Sequence, residues 1–178
     1  MTEYSHLFEY LTFPAQNKAV DPRVTRWAWS SCGGTTDLVV VGNITVAPDP
    51  IKLPGTITVS VAAKIKQDIP DPIEAQLTIR KKLGILWITI PCIDNVGSCT
   101  YPGVCQMLEK VTCPAPVVSI GQNCRCPIKQ SDGFYMQPSE FVINAGGDIP
   151  TGDYQIEAKA SHNGQSITCV NISFTIEH

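Results

Sequence analysis

Apolar and polar residues alternate with a period of two along much of the chain. Over residues 56–65, Ile57, Val59, Val61, Ala63 and Ile65 share one side, and Thr56, Thr58, Ser60 and Lys64 share the other. Successive side chains of a strand point to opposite faces, so this pattern predicts an antiparallel strand with one dry face and one wet face. The same alternation runs through residues 73–80, 154–159 and 170–176. Residues 38–46 and 85–90 are more continuously apolar, which predicts deeper burial or contact with another apolar phase. Pro48, Pro50, Pro54 with Gly55, Pro70 and Pro72 punctuate these runs. Short strands parted by turn signals predict a sandwich or barrel. Helical spacing occurs once, where Val104, Leu108 and Val111 fall at i, i+4 and i+7 within residues 103–111. A peptide of two turns is not helical alone, so the neighbouring Cys99, Cys105 and Cys113 are expected to tether it.

Composition narrows the class. The 178 residues are 43% hydrophobic and 16% charged, the latter low against about 25% in ordinary domains. Such a chain folds, and its length suits one domain. The net charge of −3 argues against a nucleic-acid partner, which would ask for clustered Lys and Arg. No apolar run approaches the roughly 18 residues of a membrane span. In residues 1–25, Glu3, Glu9 and Pro14 interrupt any apolar segment of a signal peptide. Residues 1–25 are therefore expected to be a leader or an unstructured extension, and residues 26–178 the folded domain.

Eight cysteines, at 32, 92, 99, 105, 113, 124, 126 and 169, point to an oxidising compartment. Two Asn-x-Ser/Thr acceptors, Asn43 and Asn171, point the same way as candidate glycosylation sites. The simplest pairing joins the outer cysteines, Cys32 and Cys169. In the chain-entropy account so long a loop contributes about 4–5 kcal/mol. Spacing leaves the other connectivities open.

Several chemistries fit poorly. Cys124-Arg125-Cys126 is not a C-x-x-C knuckle, and His6, His162 and His178 are scattered, so neither a structural metal nor a thiol redox centre is expected. No cofactor is implied. There is no G-x-S-x-G elbow, and His162 lies in Ser161-His162-Asn163-Gly164, which reads as a hairpin turn. Carboxylate pairs suited to glycoside hydrolysis are not judged by motif alone. The basic run Arg80-Lys81-Lys82 reads as a solvated turn or as part of a membrane-facing segment with Leu83-Gly84-Ile85-Leu86-Trp87.

A series of segments resembles the ML lipid-recognition family. They are Trp29-Ser30-Ser31-Cys32, Pro48-Asp49-Pro50-Ile51 with Pro54-Gly55, Gly84-Ile85-Leu86-Trp87-Ile88-Thr89-Ile90-Pro91-Cys92, Gly97-Ser98-Cys99-Thr100, Cys124-Arg125-Cys126-Pro127, Ser139-Glu140-Phe141-Val142 and Thr151-Gly152-Asp153-Tyr154. The resemblance covers about residues 29–177. It implies an all-β, two-sheet cup of immunoglobulin-like form with a hydrophobic cavity and four disulfides: Cys32–Cys169, Cys92–Cys99, Cys105–Cys126 and Cys113–Cys124.

The resemblance further implies a non-enzymatic carrier in the lysosome or secreted. Such a member lifts a ganglioside or related glycosphingolipid from a membrane surface and presents its sugar to a β-hexosaminidase. The alternative within the fold is a secreted lipid-sensing or receptor-accessory module. Candidate cavity-lining residues are Ile57, Val59, Val61, Leu77, Ile79, Phe141, Ile143, Tyr154, Ile156, Ile172 and Phe174. Alternation alone does not separate a filled sandwich from a hollow one, and without the resemblance the filled core is the favoured reading. Candidate membrane-contacting rim residues are Leu83, Ile85, Leu86, Trp87 and Ile149. The first rim loop, residues 83–87, keeps the family's apolar form. The second, expected over residues 142–151, is about two residues shorter and lacks its Trp. The family's glycan acceptor after the Pro-Gly turn is absent, because Thr56-Ile57-Thr58 follows Gly55.

Overall fold

The computed structural model describes residues 27–144 and 147–178. The leader expected at residues 1–25 lies outside the described residues.

Among the described residues, ten strands form two sheets. The smaller is antiparallel, in the order β2 (Val39–Ala47), β4 (Gly55–Ile65), β8 (Ser131–Ile143). The larger runs β1 (Ala28–Ser31), β10 (Gln165–Glu177), β9 (Gly152–His162), β5 (Glu74–Leu83), β6 (Leu86–Thr89). Two short strands complete it: β3 (Ile51–Lys52) lies parallel to the end of β10, and β7 (Thr100–Tyr101) pairs with β5. Of the sandwich or barrel that the alternation predicts, the architecture is the sandwich, in the two-sheet form that the resemblance implies.

Two helices are present among the described residues rather than the one expected. The helix α1 (Val104–Leu108) falls within the predicted stretch, and α2 (Ala115–Ser119) follows it. Alternation and helical spacing both miss α2, because Pro114 and Pro116 read as breakers. Proline is tolerated in a helix's first turn, where its missing N–H has no partner to lose. Arg125 closes α1: its guanidinium donates to the carbonyls of Leu108 (2.6 Å), Val111 (3.0 Å) and Glu109 (3.2 Å). The helical segment is stapled by Cys105–Cys126 and Cys113–Cys124, while Cys92–Cys99 and Cys32–Cys169 tie the larger sheet.

Strand register fixes which residues look inward. Ile57 opposes Phe141, Val59 opposes Ser139 and Val46, and Val61 opposes Met136 and Ile44. On the larger sheet Leu77 opposes Ala158, Ile79 opposes Ile156, and Tyr154 opposes Phe174. At one end these faces meet in a buried cluster of Leu38, Ile65, Ile69, Ile73, Cys105 and Ile167, with Phe134 and Ala160 packed against it. This is the base of the cup. A smaller cluster of Ile90, Tyr154 and Ile176 sits toward the other end.

Candidate functional site

Between the base and the smaller cluster the inner faces stay open. Of the lining candidates, only Tyr154 is buried; Ile57, Val59, Val61, Leu77, Ile79, Phe141, Ile143, Ile156, Ile172 and Phe174 all keep partial solvent access. In a filled sandwich, mid-strand residues directed at the opposing sheet interdigitate and lose nearly all exposure. Here both walls keep partial solvent access along their middle.

The larger sheet holds a pocket of about 170 Å³ lined by Ile79, Ile90, Ile149, Tyr154, Ile156 and Phe174, among others. That volume is below the roughly 300–1,000 Å³ of a ligand pocket. The Tyr154 and Phe174 rings stack with centroids 5.7 Å apart. The Tyr154 hydroxyl donates to the Pro150 carbonyl at 2.7 Å, which pins the segment carrying Ile149 over the pocket. Burial pushes the Tyr154 phenol well above its usual value. Ile90, Val96, Asp148, Pro150 and Ile176 also line this pocket and were not singled out from sequence.

Lys81 is the other residue that sequence reading passed over. Read among the basic run, it belongs by parity with Leu77, Ile79 and Leu83, on the inner face. Its ammonium lies 5.7 Å from the Tyr154 ring centroid, and burial draws its pKa below the ordinary lysine value. The signal was available, since Lys81 falls on the apolar beat of the strand.

The rim candidates separate into two sets. β5 and β6 join through Gly84 and Ile85, with Leu83 opposite Leu86. Gly84 takes φ +62°, the left-handed conformation that a two-residue hairpin turn requires. Ile85 is 85% exposed and Leu86 62%, and Trp87 is also exposed beside Lys82. Leu83 differs: it is 7% exposed and shares the inner face with Ile79. The second loop begins later than expected, because β8 continues through Val142 and Ile143 before it. Val142 is exposed, and Ile149 is half-buried over the pocket.

The remaining candidates lie outside this site. Asn43 is exposed on β2, where its Oδ1 accepts the Trp29 indole N–H at 3.1 Å. Asn171 is half-buried on the outer face of β10. His162 ends β9, precedes the Asn163-Gly164 turn and bonds the Pro72 carbonyl through Nδ1 at 2.7 Å.

The ML domain family model matches residues 26–176. The chain is 34% identical over 176 residues to the ganglioside GM2 activator of Macaca fascicularis, covering 94% of this chain and 92% of that protein. It is 29% identical over 160 residues to the ganglioside GM2 activator of Mus musculus, covering 85% and 82%. A phosphatidylglycerol/phosphatidylinositol transfer protein of Mycosarcoma maydis is 26% identical over 149 residues, covering 83% of this chain and 64% of that protein. Among solved structures, a Niemann-Pick type C2 protein from Japanese carpenter ant is 16% identical with a TM-score of 0.46, covering 84% and 99%. The family match spans nearly the whole described fold, from the first strand to the last: this chain belongs to the ML domain family.

Proposed function

We propose that this chain carries glycosphingolipids, taking a ganglioside from a membrane by its acyl chains and presenting the sugar to a β-hexosaminidase without breaking a bond itself. The observation that carries this reading is the solvent access kept by both inner apolar walls. Exposing an acyl chain to water costs about 0.8 kcal/mol per CH₂, so a two-chain lipid resists leaving the bilayer by roughly 20 kcal/mol. A carrier must offer apolar area of the order of 800–1,000 Å², at about 25 cal/mol per Å². Opposed walls of Ile, Val, Leu and Phe are a source of that area. The exposed Ile85-Leu86-Trp87 tip, beside Lys82 and Arg80, suits transient docking on an anionic bilayer. The names of the two ganglioside GM2 activators support the choice of lipid. Four disulfides suit a lysosomal or secreted protein.

The direct test is transfer of a labelled ganglioside between vesicles at acidic pH by the purified full chain. Transfer well above the protein-free rate is expected, together with faster sugar release when a β-hexosaminidase is added. Transfer no faster than the protein-free rate would sink the carrier reading. The shortened second loop, with β8 running on through Ile143, favours one second reading: a lipid-sensing module that accompanies a receptor. Capture of a receptor ectodomain, with no acceleration of the glycosidase, would select it.

A further inference from the structure

A second concavity lies at the base of the cup, on the outer face of the larger sheet. It encloses about 430 Å³ between the loop after β1 and the strands β5, β9 and β10. Glu74 and Gln76 line it from β5, and their register partners Ser161 and Lys159 line it from β9. These positions have the opposite parity to Leu77 and Ile79, so the pocket opens on the outer face of the sheet, with Ala160 the wall it shares with the base cluster.

The loop that roofs it is held firmly. Cys32 is bridged to Cys169, and its N–H donates to the Cys169 carbonyl at 3.0 Å. Lys66 Nζ donates to the Thr35 carbonyl at 2.8 Å, and Gln165 Nε2 to the Thr36 carbonyl at 3.0 Å. The Asp37 N–H returns to the Gly34 carbonyl at 3.2 Å, and the Leu38 N–H reaches the Ser166 carbonyl at 3.3 Å.

Asp37 is therefore fixed through its backbone, while its carboxylate remains uncommitted. The residue is only 5% exposed and lines the pocket, yet no donor among the described residues reaches its carboxylate. The carboxylate lies where a side chain on Gly33 would begin, so glycine at that position makes its room. Its oxygens meet the solvent of the pocket in place of a protein donor, so a charged group entering the pocket finds a carboxylate open to it.

The charge balance selects the ligand. Lys159 is engaged by Glu157 at 3.4 Å, which leaves the carboxylates of Asp37 and Glu74 as the excess charge in the pocket. A calcium ion would need six to eight oxygens. Among the described residues, no group of three acidic, histidine or cysteine side chains at ligand spacing includes Asp37 or Glu74. An N–H-rich organic cation has the matching charge and several donors. We propose that this pocket binds a primary ammonium or guanidinium group, as a basic side chain of a protein partner presents, and so forms a docking point at the base of the cup.

The full chain, labelled with ¹⁵N, is titrated with n-butylammonium and n-butylguanidinium at low salt. Saturable shifts are expected at Gly33, Gly34, Asp37 and Glu74, with none at Tyr154 or Phe174. Asp37→Asn should weaken binding at least tenfold and Glu74→Gln several-fold, and added salt should compete. n-Butanol, which has the same chain without the charge, should leave these amides unmoved. Equal response to n-butanol, saturation by galactose in place of the cations, or binding unchanged in both variants would overturn the assignment. Should Asp37→Asn unfold the loop, Glu74→Gln decides, because Glu74 is exposed on its strand.

Discussion

The base and the mouth of the cup are built from the same residue types and differ in how completely the two sheets close on each other. At the base, Ile65, Ile69, Ile73 and Ile167 shut out water, with Cys105 and its bridge to Cys126 alongside. Toward the mouth, Ile57, Val59, Phe141 and Ile156 hold equivalent inward positions and remain wetted. Stability is therefore concentrated at one end. The other end keeps its apolar surface available, and its hairpin pushes Ile85 outward at 85% exposure. A protein that offers its interior to a ligand has to leave part of that interior unpacked.

Mutations separate the two ends. The largest effect is expected at Ile69, 1% exposed within the base cluster. Ile69→Ala removes packed methyl groups and leaves a cavity, so urea denaturation should show a loss of about 2–5 kcal/mol. A loss below about 1 kcal/mol would show that the base is not the anchor. Next is Ile85→Asp on the exposed turn: vesicle-to-vesicle lipid transfer should drop about tenfold, equivalent to about 1.4 kcal/mol, with an unchanged thermal midpoint. Unaltered transfer would separate the hairpin from membrane contact.

A smaller effect is expected at Tyr154→Phe, which loses the bond to the Pro150 carbonyl and about 1 kcal/mol of stability. Its pH signature has a defined sign. Burial holds the folded phenol protonated above its usual value, while the unfolded phenol ionises near pH 10. The associated stability is complete below that pH and is lost as pH rises above it. Stability measured between pH 9 and 12 should thus decline less steeply in Tyr154→Phe than in the parent. The smallest effect belongs to Ile57→Ala on the open wall, where no tightly packed shell is left behind. Less than about 1 kcal/mol is expected, and a loss matching that of Ile69→Ala would mean the walls are packed after all.

Much of the sheet framework was legible. The strands β4, β5, β9 and β10 follow from alternation, and Asn163-Gly164 marks the turn between the last two. The 13-residue β8 was not marked as a strand from end to end. Gly133 and Pro138 interrupt its pattern, and its register against β4 shifts between Val59 and Val61, which breaks the strict period of two. α2 was hidden by its prolines. Lys81 was read with its basic neighbours, although its parity placed it among apolar residues. The Asp37 pocket had no sequence signature, because its parts come from three separated stretches around residues 33–37, 74–76 and 159–169.

By itself the sequence determined the two-faced strands, the disulfide-rich character and, through its motif series, the family. These are local properties: side-chain period, residue count and short-range spacing. The tertiary structure alone decided whether the inner faces meet. Alternation says which side of a strand is apolar, but the distance between two sheets depends on how disulfides, turns and edge strands hold them. That distance separates a filled core from a space a lipid can enter.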